Sequence, residues 1–156
     1  MLYMPSMPTQ LSEENPYGYQ LPSDRSALKN FKTVEIKGGN RPTLKGWFIK
    51  SPTKGLSGRT IVFMHENAGN LGLRMDWFLR VIGALDVNIL TFAYRGYSDS
   101  EGSPSEVGLK QDGLDIMHYV KNNLDDLVQE DGGIFLLGRS LGGAVAAYTA
   151  THADTP

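Results

Sequence analysis

Residues 134–148 read IFLLGRSLGGAVAAY, an apolar run followed by a glycine-flanked serine and then by small residues. A short apolar run without alternation is typical of a strand buried on both faces of a parallel sheet. A helix is predicted to begin at Leu141, so Ser140 stands on a strand-to-helix turn that presents its hydroxyl above the end of the sheet. The flanking glycines avoid collisions across so sharp a bend. The pattern indicates a nucleophilic serine, and the alternative is a plain glycine-rich turn.

Further apolar runs predict the rest of the sheet. The runs at residues 60–64 and 87–94 do not alternate with polar residues, as is typical of buried parallel strands. The segments 31–37 and 44–50 do alternate and flank a turn, so they predict an antiparallel hairpin. Helical spacing of apolar residues recurs between them, and Ser103-Pro104 before Glu106 predicts the start of one helix. We therefore predict the α/β class: a mostly parallel sheet with an antiparallel edge hairpin and helices on both faces. The predicted strands are residues 31–37, 44–50, 60–64, 87–94 and 134–137, and the predicted helices are 71–85, 107–124 and 141–148.

The first 30 residues differ in composition from the rest of the chain. They hold four of the eight prolines and show little periodicity, which is typical of an extended segment. We predict an extended, proline-containing lead-in over residues 1–30 and an incomplete α/β domain over residues 31–156.

Composition excludes several classes of protein. The chain has 156 residues, a formal net charge of −2 and no cysteine. It therefore has no thiolate nucleophile, no disulfide and no basic surface for nucleic acid. No apolar run approaches the ~18–20 residues of a membrane helix, and no signal peptide is visible at the start. As written, the chain is predicted to be soluble, with its localisation open.

Glycine and carboxylate spacing argues against a cofactor or a metal. Gly138, Gly142 and Gly143 fit neither a P-loop nor a dinucleotide fingerprint. The acidic residues at 125, 126, 130 and 131 lack the spacing of a calcium loop and predict a solvated helix end. We expect no cofactor and no metal.

A second candidate site follows the predicted strand 60–64. Residues 65–70 read HENAGN, and a loop here could supply one backbone N–H to an oxyanion hole, with Leu141 at the helix N-terminus supplying the other. The alternative is a polar turn that caps the helix beginning near Leu71.

Four segments together resemble the alpha/beta hydrolase domain-containing protein 13 (Bem-type) family, membrane-associated serine hydrolases of the α/β-hydrolase superfamily. The resemblance implies that Ser140 is the nucleophile and that the backbone N–H groups of Asn67 and Leu141 form the oxyanion hole. It also implies an ester or thioester substrate, such as a lipid ester or a palmitoyl protein, and a site-shaping loop at residues 95–97. The matching segments are LYMP at 2–5, IVFMHENAGN at 61–70, YRGYSDSEG at 94–102 and GRSLGGAVA at 138–146.

Three residues depart from the family pattern. Glu66 and Ser98 stand where glycine is usual, and Ala93 stands where aspartate is usual. A carboxylate at position 66 would oppose an oxyanion if it pointed inward.

A serine hydroxyl needs a histidine to accept its proton and a carboxylate to orient that histidine. In this fold the chain order is serine, acid, histidine, whereas His152 precedes Asp154 here. His65 belongs to the oxyanion loop and His118 lies within a helix, so none of the three histidines is expected to be the base. We expect a chain truncated at both ends and inactive alone, with the acid and the histidine in sequence beyond it. Two alternatives remain: a non-catalytic binding module of hydrolase-like fold, and an aminopeptidase-like serine peptidase.

Overall fold

The computed structural model describes residues 3–5, 21–53, 58–128 and 132–154. Its strands are β1 (Phe31–Ile36), β2 (Leu44–Ile49), β3 (Thr60–Met64), β4 (Asn88–Phe92) and β5 (Ile134–Gly138). They form one sheet of order β1-β2-β4-β3-β5.

Strand pairing in the sheet is mixed. β1 and β2 form the predicted antiparallel hairpin, and β2 also pairs antiparallel with β4. β3 pairs parallel with β4 on one side and with β5 on the other. Since parallel strands end at the same edge, the loops that follow β3, β4 and β5 meet there.

Helices cover both faces of the sheet, as predicted. The ring of Phe63 in β3 stacks on that of Trp77 in helix α1 (Met75–Leu85) at a centroid distance of 4.5 Å. Phe92 in β4 meets Tyr119 in helix α2 (Glu106–Asn122) edge-on at 5.2 Å. Phe63 is in register with Thr91, so Phe92 points to the opposite face. The α/β fold class is confirmed. The helices are α1 (Met75–Leu85), α2 (Glu106–Asn122), α3 (Leu124–Leu127) and α4 (Leu141–His152).

The predicted start of α2 and the predicted extended form of residues 21–28 were both wrong. The N-cap of α2 is Ser105 rather than Ser103, because the Ser105 side chain accepts a hydrogen bond from the amide of Gly108 at 3.0 Å. Residues 21–28 form two short 3₁₀ turns rather than an extended run, and the second turn buries Leu28 in the core. Residues 6–20, which make up half of the predicted lead-in, lie outside the described residues.

Strand β5 differs from its neighbours in burial. Every residue of β3 and β4 is buried, but Phe135 and Leu137 are 52% and 38% exposed. The prediction that 134–137 is buried on both faces was therefore wrong. The reason is position: β5 is the outermost strand of the described sheet, so it has a neighbour on one side only.

Candidate active site

Ser140 lies at the turn between β5 and α4 in a strained backbone conformation. Its φ and ψ are 53° and −120°, outside the regions that residues with side chains ordinarily occupy. The amide of Arg139 bonds to the carbonyl of Met64 at 3.2 Å, and the amide of Gly143 bonds to the carbonyl of Ser140 at 2.8 Å. These contacts hold the turn, and Ser140 itself is exposed. Retention of such strain is typical of a functional site.

Close packing explains the glycines around this serine. A Cβ at Gly138 would collide with the carbonyl of Gly142, and a Cβ at Gly142 would collide with the carbonyl of Met64. The first turn of α4 therefore lies directly on the end of β3. This contact brings the predicted nucleophile next to the loop that follows β3.

His65 begins that loop and is bonded through both ring nitrogens. Its Nε2 accepts from the backbone N–H of Tyr94 at 3.1 Å, so in the neutral ring Nδ1 carries the proton and donates to the carbonyl of Glu66 at 2.7 Å. Burial lowers the pKa of His65 to about 3. The ring thus joins the ends of β3 and β4 as a neutral hydrogen-bonding group.

Arg74 is the organising residue that sequence reasoning missed. It is only 3% exposed, and its guanidinium donates to the carbonyls of Ala68 and Asn70 and, at 3.5 Å, to that of Glu66. A basic residue is ordinarily assigned to the surface. The signal that could have found it is spacing, since Arg74 follows buried Leu71 by three residues on the apolar side of the helical segment.

Glu66 lies between two arginines. Its carboxylate oxygens are 3.4 Å from Nε of buried Arg74 and 3.5 Å from Nη1 of Arg139, the residue before Ser140. The charge that stands where the family has glycine is therefore met by two guanidinium groups.

The segment around Met4 crosses the same loop. Met4 forms a parallel bridge to Ala68, its N–H donates to Oδ1 of Asn67 at 3.2 Å, and its carbonyl accepts from Gly69 at 3.2 Å. The hydroxyl of Tyr97 donates to the same Asn67 oxygen at 2.7 Å. All four segments that carry the resemblance thus meet at one edge of the sheet.

An ion pair between buried Asp112 and partly buried Arg95 fixes the loop after β4. Asp112 of α2 is 1% exposed and accepts from the amide of Arg95 at 2.9 Å and from its Nε and Nη2 at 2.9 and 2.7 Å. Burial raises the pKa of the Asp112 carboxyl, and the bonds from Arg95 oppose that shift. Within this loop Ser98 has a φ of 50°, a conformation that favours the glycine usual there. Ala93 is buried at the end of β4.

The other two histidines lie at the far end of the helices. His118 contacts Asn122 at 2.9 Å, and the ring of His152 stacks on Tyr148 at 4.0 Å. Both line a groove between α2 and the C-terminal end of α4. His152 follows Ser140 by twelve positions along α4, about 18 Å at the usual rise. Neither histidine is placed to receive a proton from Ser140.

Within the described ranges, no group of three or more His, Cys, Asp or Glu side chains is arranged to hold a metal ion. Positions 130 and 131 of the acidic cluster lie outside those ranges. Among the same residues, the helices are too short or too polar to cross a bilayer.

Comparison with solved structures defines the class. The fold matches a Pyrococcus furiosus esterase with a TM-score of 0.66 and 24% identity, over 86% of this chain and 50% of that one. It matches an alpha-beta hydrolase from Vibrio vulnificus with a TM-score of 0.63 and 25% identity, over 81% and 42% of the two chains. The fold is that of the α/β-hydrolases.

Comparison with curated proteins relates the chain to the α/β-hydrolase superfamily. It is 32% identical to protein Bem46 of Schizosaccharomyces pombe over 98% of its own length and 49% of that protein. It is 34% identical to the alpha/beta hydrolase domain-containing protein WAV2 of Arabidopsis thaliana, over 75% and 37% of the two chains. The chain therefore spans half or less of the length of these relatives. No protein-family model matches it.

Proposed function

We propose that this chain carries the nucleophile and the oxyanion hole of a serine hydrolase, with Ser140 as the nucleophile. The observation that carries the proposal is the strained conformation of Ser140 between β5 and α4, with no room for a side chain at Gly138 or Gly142. A serine held this way is exposed at the N-terminus of a helix, where the helix dipole favours developing negative charge. The hydrolase relatives support the same function.

In the proposed reaction, Ser140 Oγ attacks the substrate carbonyl carbon while its proton passes to a general base. The carbonyl oxygen becomes an oxyanion that accepts hydrogen bonds from the backbone N–H groups of Leu141 and Asn67. Collapse of this intermediate expels the alcohol or thiol, which takes up the proton, and water then hydrolyses the acyl-serine ester.

The base and its orienting carboxylate are proposed to lie outside residues 1–156. The support is geometric, because both ring nitrogens of His65 are bonded to the backbone and His118 and His152 line the distant groove. Relatives about twice as long leave room for such residues.

The proposed substrate class is an ester or thioester with a lipid-type acyl chain. One relative, chicken ABHD12, is named lysophosphatidylserine lipase and is 35% identical over 64% of this chain and 25% of that protein. This similarity supports acyl transfer as the reaction. The similarity does not select the leaving group, which is to be identified by measuring hydrolysis of a series of ester and thioester substrates.

A fluorophosphonate probe tests the proposal, applied to the protein expressed from its complete gene. We expect labelling of the wild type, complete loss in Ser140→Ala and unchanged labelling in Ser26→Ala, a change at an exposed serine of a 3₁₀ turn. Equal labelling of wild type and Ser140→Ala would rule out Ser140 as the nucleophile. An unlabelled but folded wild type would favour the binding-module alternative.

A further inference from the structure

We infer that Arg74 is a positioning residue for catalysis, which aims the backbone N–H of Asn67 at the substrate oxyanion. This inference rests on the proposed function. Arg74 contacts no candidate catalytic group directly. It acts through the backbone of residues 66–71, which follow β3.

Arg74 donates its hydrogen bonds to backbone carbonyls of the loop after β3. Its acceptors are the carbonyls of three alternate residues, Glu66, Ala68 and Asn70. One buried guanidinium thus turns three peptide units so that their carbonyls face the same group. Arginine suits this task because its five donors have a fixed planar geometry, which a lysine ammonium lacks.

In a trans peptide, the C=O and the N–H of one peptide unit point in opposite directions. In the peptide unit that joins Ala68 to Gly69, the N–H of Gly69 donates to the carbonyl of Met4 at 3.2 Å. In the peptide unit that joins Asn70 to Leu71, the N–H of Leu71 donates to Oγ of Ser98 at 3.5 Å. Both amides therefore face away from Arg74.

The same geometry fixes the remaining peptide unit, which joins Glu66 to Asn67. Its carbonyl accepts from Nδ1 of His65 at 2.7 Å and from Arg74 at 3.5 Å. The N–H of Asn67 consequently points away from both side chains. Arg74 and His65 together select the peptide orientation in which this amide can serve an oxyanion hole rather than the core.

Glu66 balances the charge of Arg74. A guanidinium only 3% exposed needs a counter-charge, and the carboxylate of Glu66 lies 3.4 Å from its Nε. Glu66 thereby allows Arg74 to stay buried and ionised beneath the loop. The acidic residue that departs from the family pattern then contributes to positioning the loop.

The test uses the protein from its complete gene with p-nitrophenyl butyrate as a reporter ester. The variants are Arg74→Met and Arg74→Lys, with Arg80→Met on the exposed side of α1 as the matched control. An amide that helps only the transition state changes kcat rather than KM. We expect Arg74→Met to lower kcat on the order of 10²-fold, as loss of one oxyanion donor does, with KM nearly unchanged. Arg74→Lys should fall between this variant and the wild type, and Arg80→Met should match the wild type.

A trifluoromethyl ketone, which adds to the serine and forms an oxyanion, gives an independent readout. Its Ki should rise by the same factor by which kcat/KM falls across the variants. If Arg74→Met does not fold, Arg74→Lys decides. A lysine variant with wild-type kcat and Ki overturns the inference, as does any Arg74 variant whose only change is a lower melting temperature. Activity that persists in Ser140→Ala refutes the proposed function instead, so the two failures are distinguishable.

Discussion

Replacing Ser140 by glycine should stabilise the protein relative to replacing it by alanine, although both variants lack the nucleophile. The backbone at this position has a φ of 53° and a ψ of −120°. Alanine carries a Cβ and remains strained there, whereas glycine adopts this conformation freely. Ser140 is exposed, so the two replacements differ little in packing.

The size of the effect follows from two opposing contributions. Strain at one such residue costs about 1–3 kcal/mol, and glycine relieves this strain. The greater freedom of glycine in the unfolded chain cancels about 0.5–1 kcal/mol of the stability gained. We expect Ser140→Gly to be about 1 kcal/mol more stable than Ser140→Ala. In a chain of this length that corresponds to about 3 °C in melting temperature.

Thermal and urea unfolding followed by circular dichroism measure the difference directly. The pair Ser26→Gly and Ser26→Ala is the matched control, because Ser26 lies in a 3₁₀ turn where glycine gives no relief of strain. There the glycine variant should be equally or less stable. A melting temperature of Ser140→Gly at or below that of Ser140→Ala would refute backbone strain at this position.

Three further changes test the packing and the charges around the site. Gly142→Ala should lower the free energy of unfolding by about 2–4 kcal/mol, because its Cβ would collide with the carbonyl at the end of β3. The control Gly83→Ala, which has open space around it in α1, should raise that free energy by about 0.5–1 kcal/mol. Urea unfolding measures both. Because the pKa of His65 is about 3 when folded and about 6.5 when unfolded, stability present above pH 6.5 should fall as pH drops, by about 2 kcal/mol at pH 5. His65→Gln should abolish that component while exposed His118→Gln keeps it, and a wild type equally stable at pH 7.5 and 5 contradicts the assignment. Asp112→Asn should cost about 2 kcal/mol of unfolding free energy, because it leaves the partly buried Arg95 without its carboxylate partner. A loss below about 0.5 kcal/mol would argue against a structural ion pair.

Sequence patterns predicted the sheet well because burial dictates them directly. The unbroken apolar runs at 60–64 and 87–94 became β3 and β4, which are shielded on both faces. The run at 134–137 looks the same in sequence, yet β5 lies at the edge of the described sheet with Phe135 exposed. Local hydrophobicity cannot tell a central strand from an outer one, since position in a sheet depends on pairing with distant residues.

The candidate site was predicted only where its residues form a local pattern. The turn around Ser140 combines a strand, flanking glycines and a helix within ten residues, so its strained geometry could be expected. The spacing from Leu71 signals only that Arg74 is buried. Its hydrogen bonds could not be predicted this way, because their acceptors are three backbone carbonyls that no side-chain pattern records. The crossing of Met4 over Ala68 joins residues 64 positions apart and likewise leaves no local signal.

The strand order also has a consequence for the time course of folding. The β1–β2 hairpin closes over a short turn, whereas β5 pairs with β3 across 74 residues, from Thr60 to Ile134. Pairing over long separations is slow, because chain entropy is lost before contacts compensate for it. We therefore expect the hairpin to form early and β5 to dock late. The candidate site would then be assembled in one of the last steps, since it needs the loop after β3 and the turn after β5 together. During synthesis, the chain must be extended past α4 before Ser140 can take up its strained conformation.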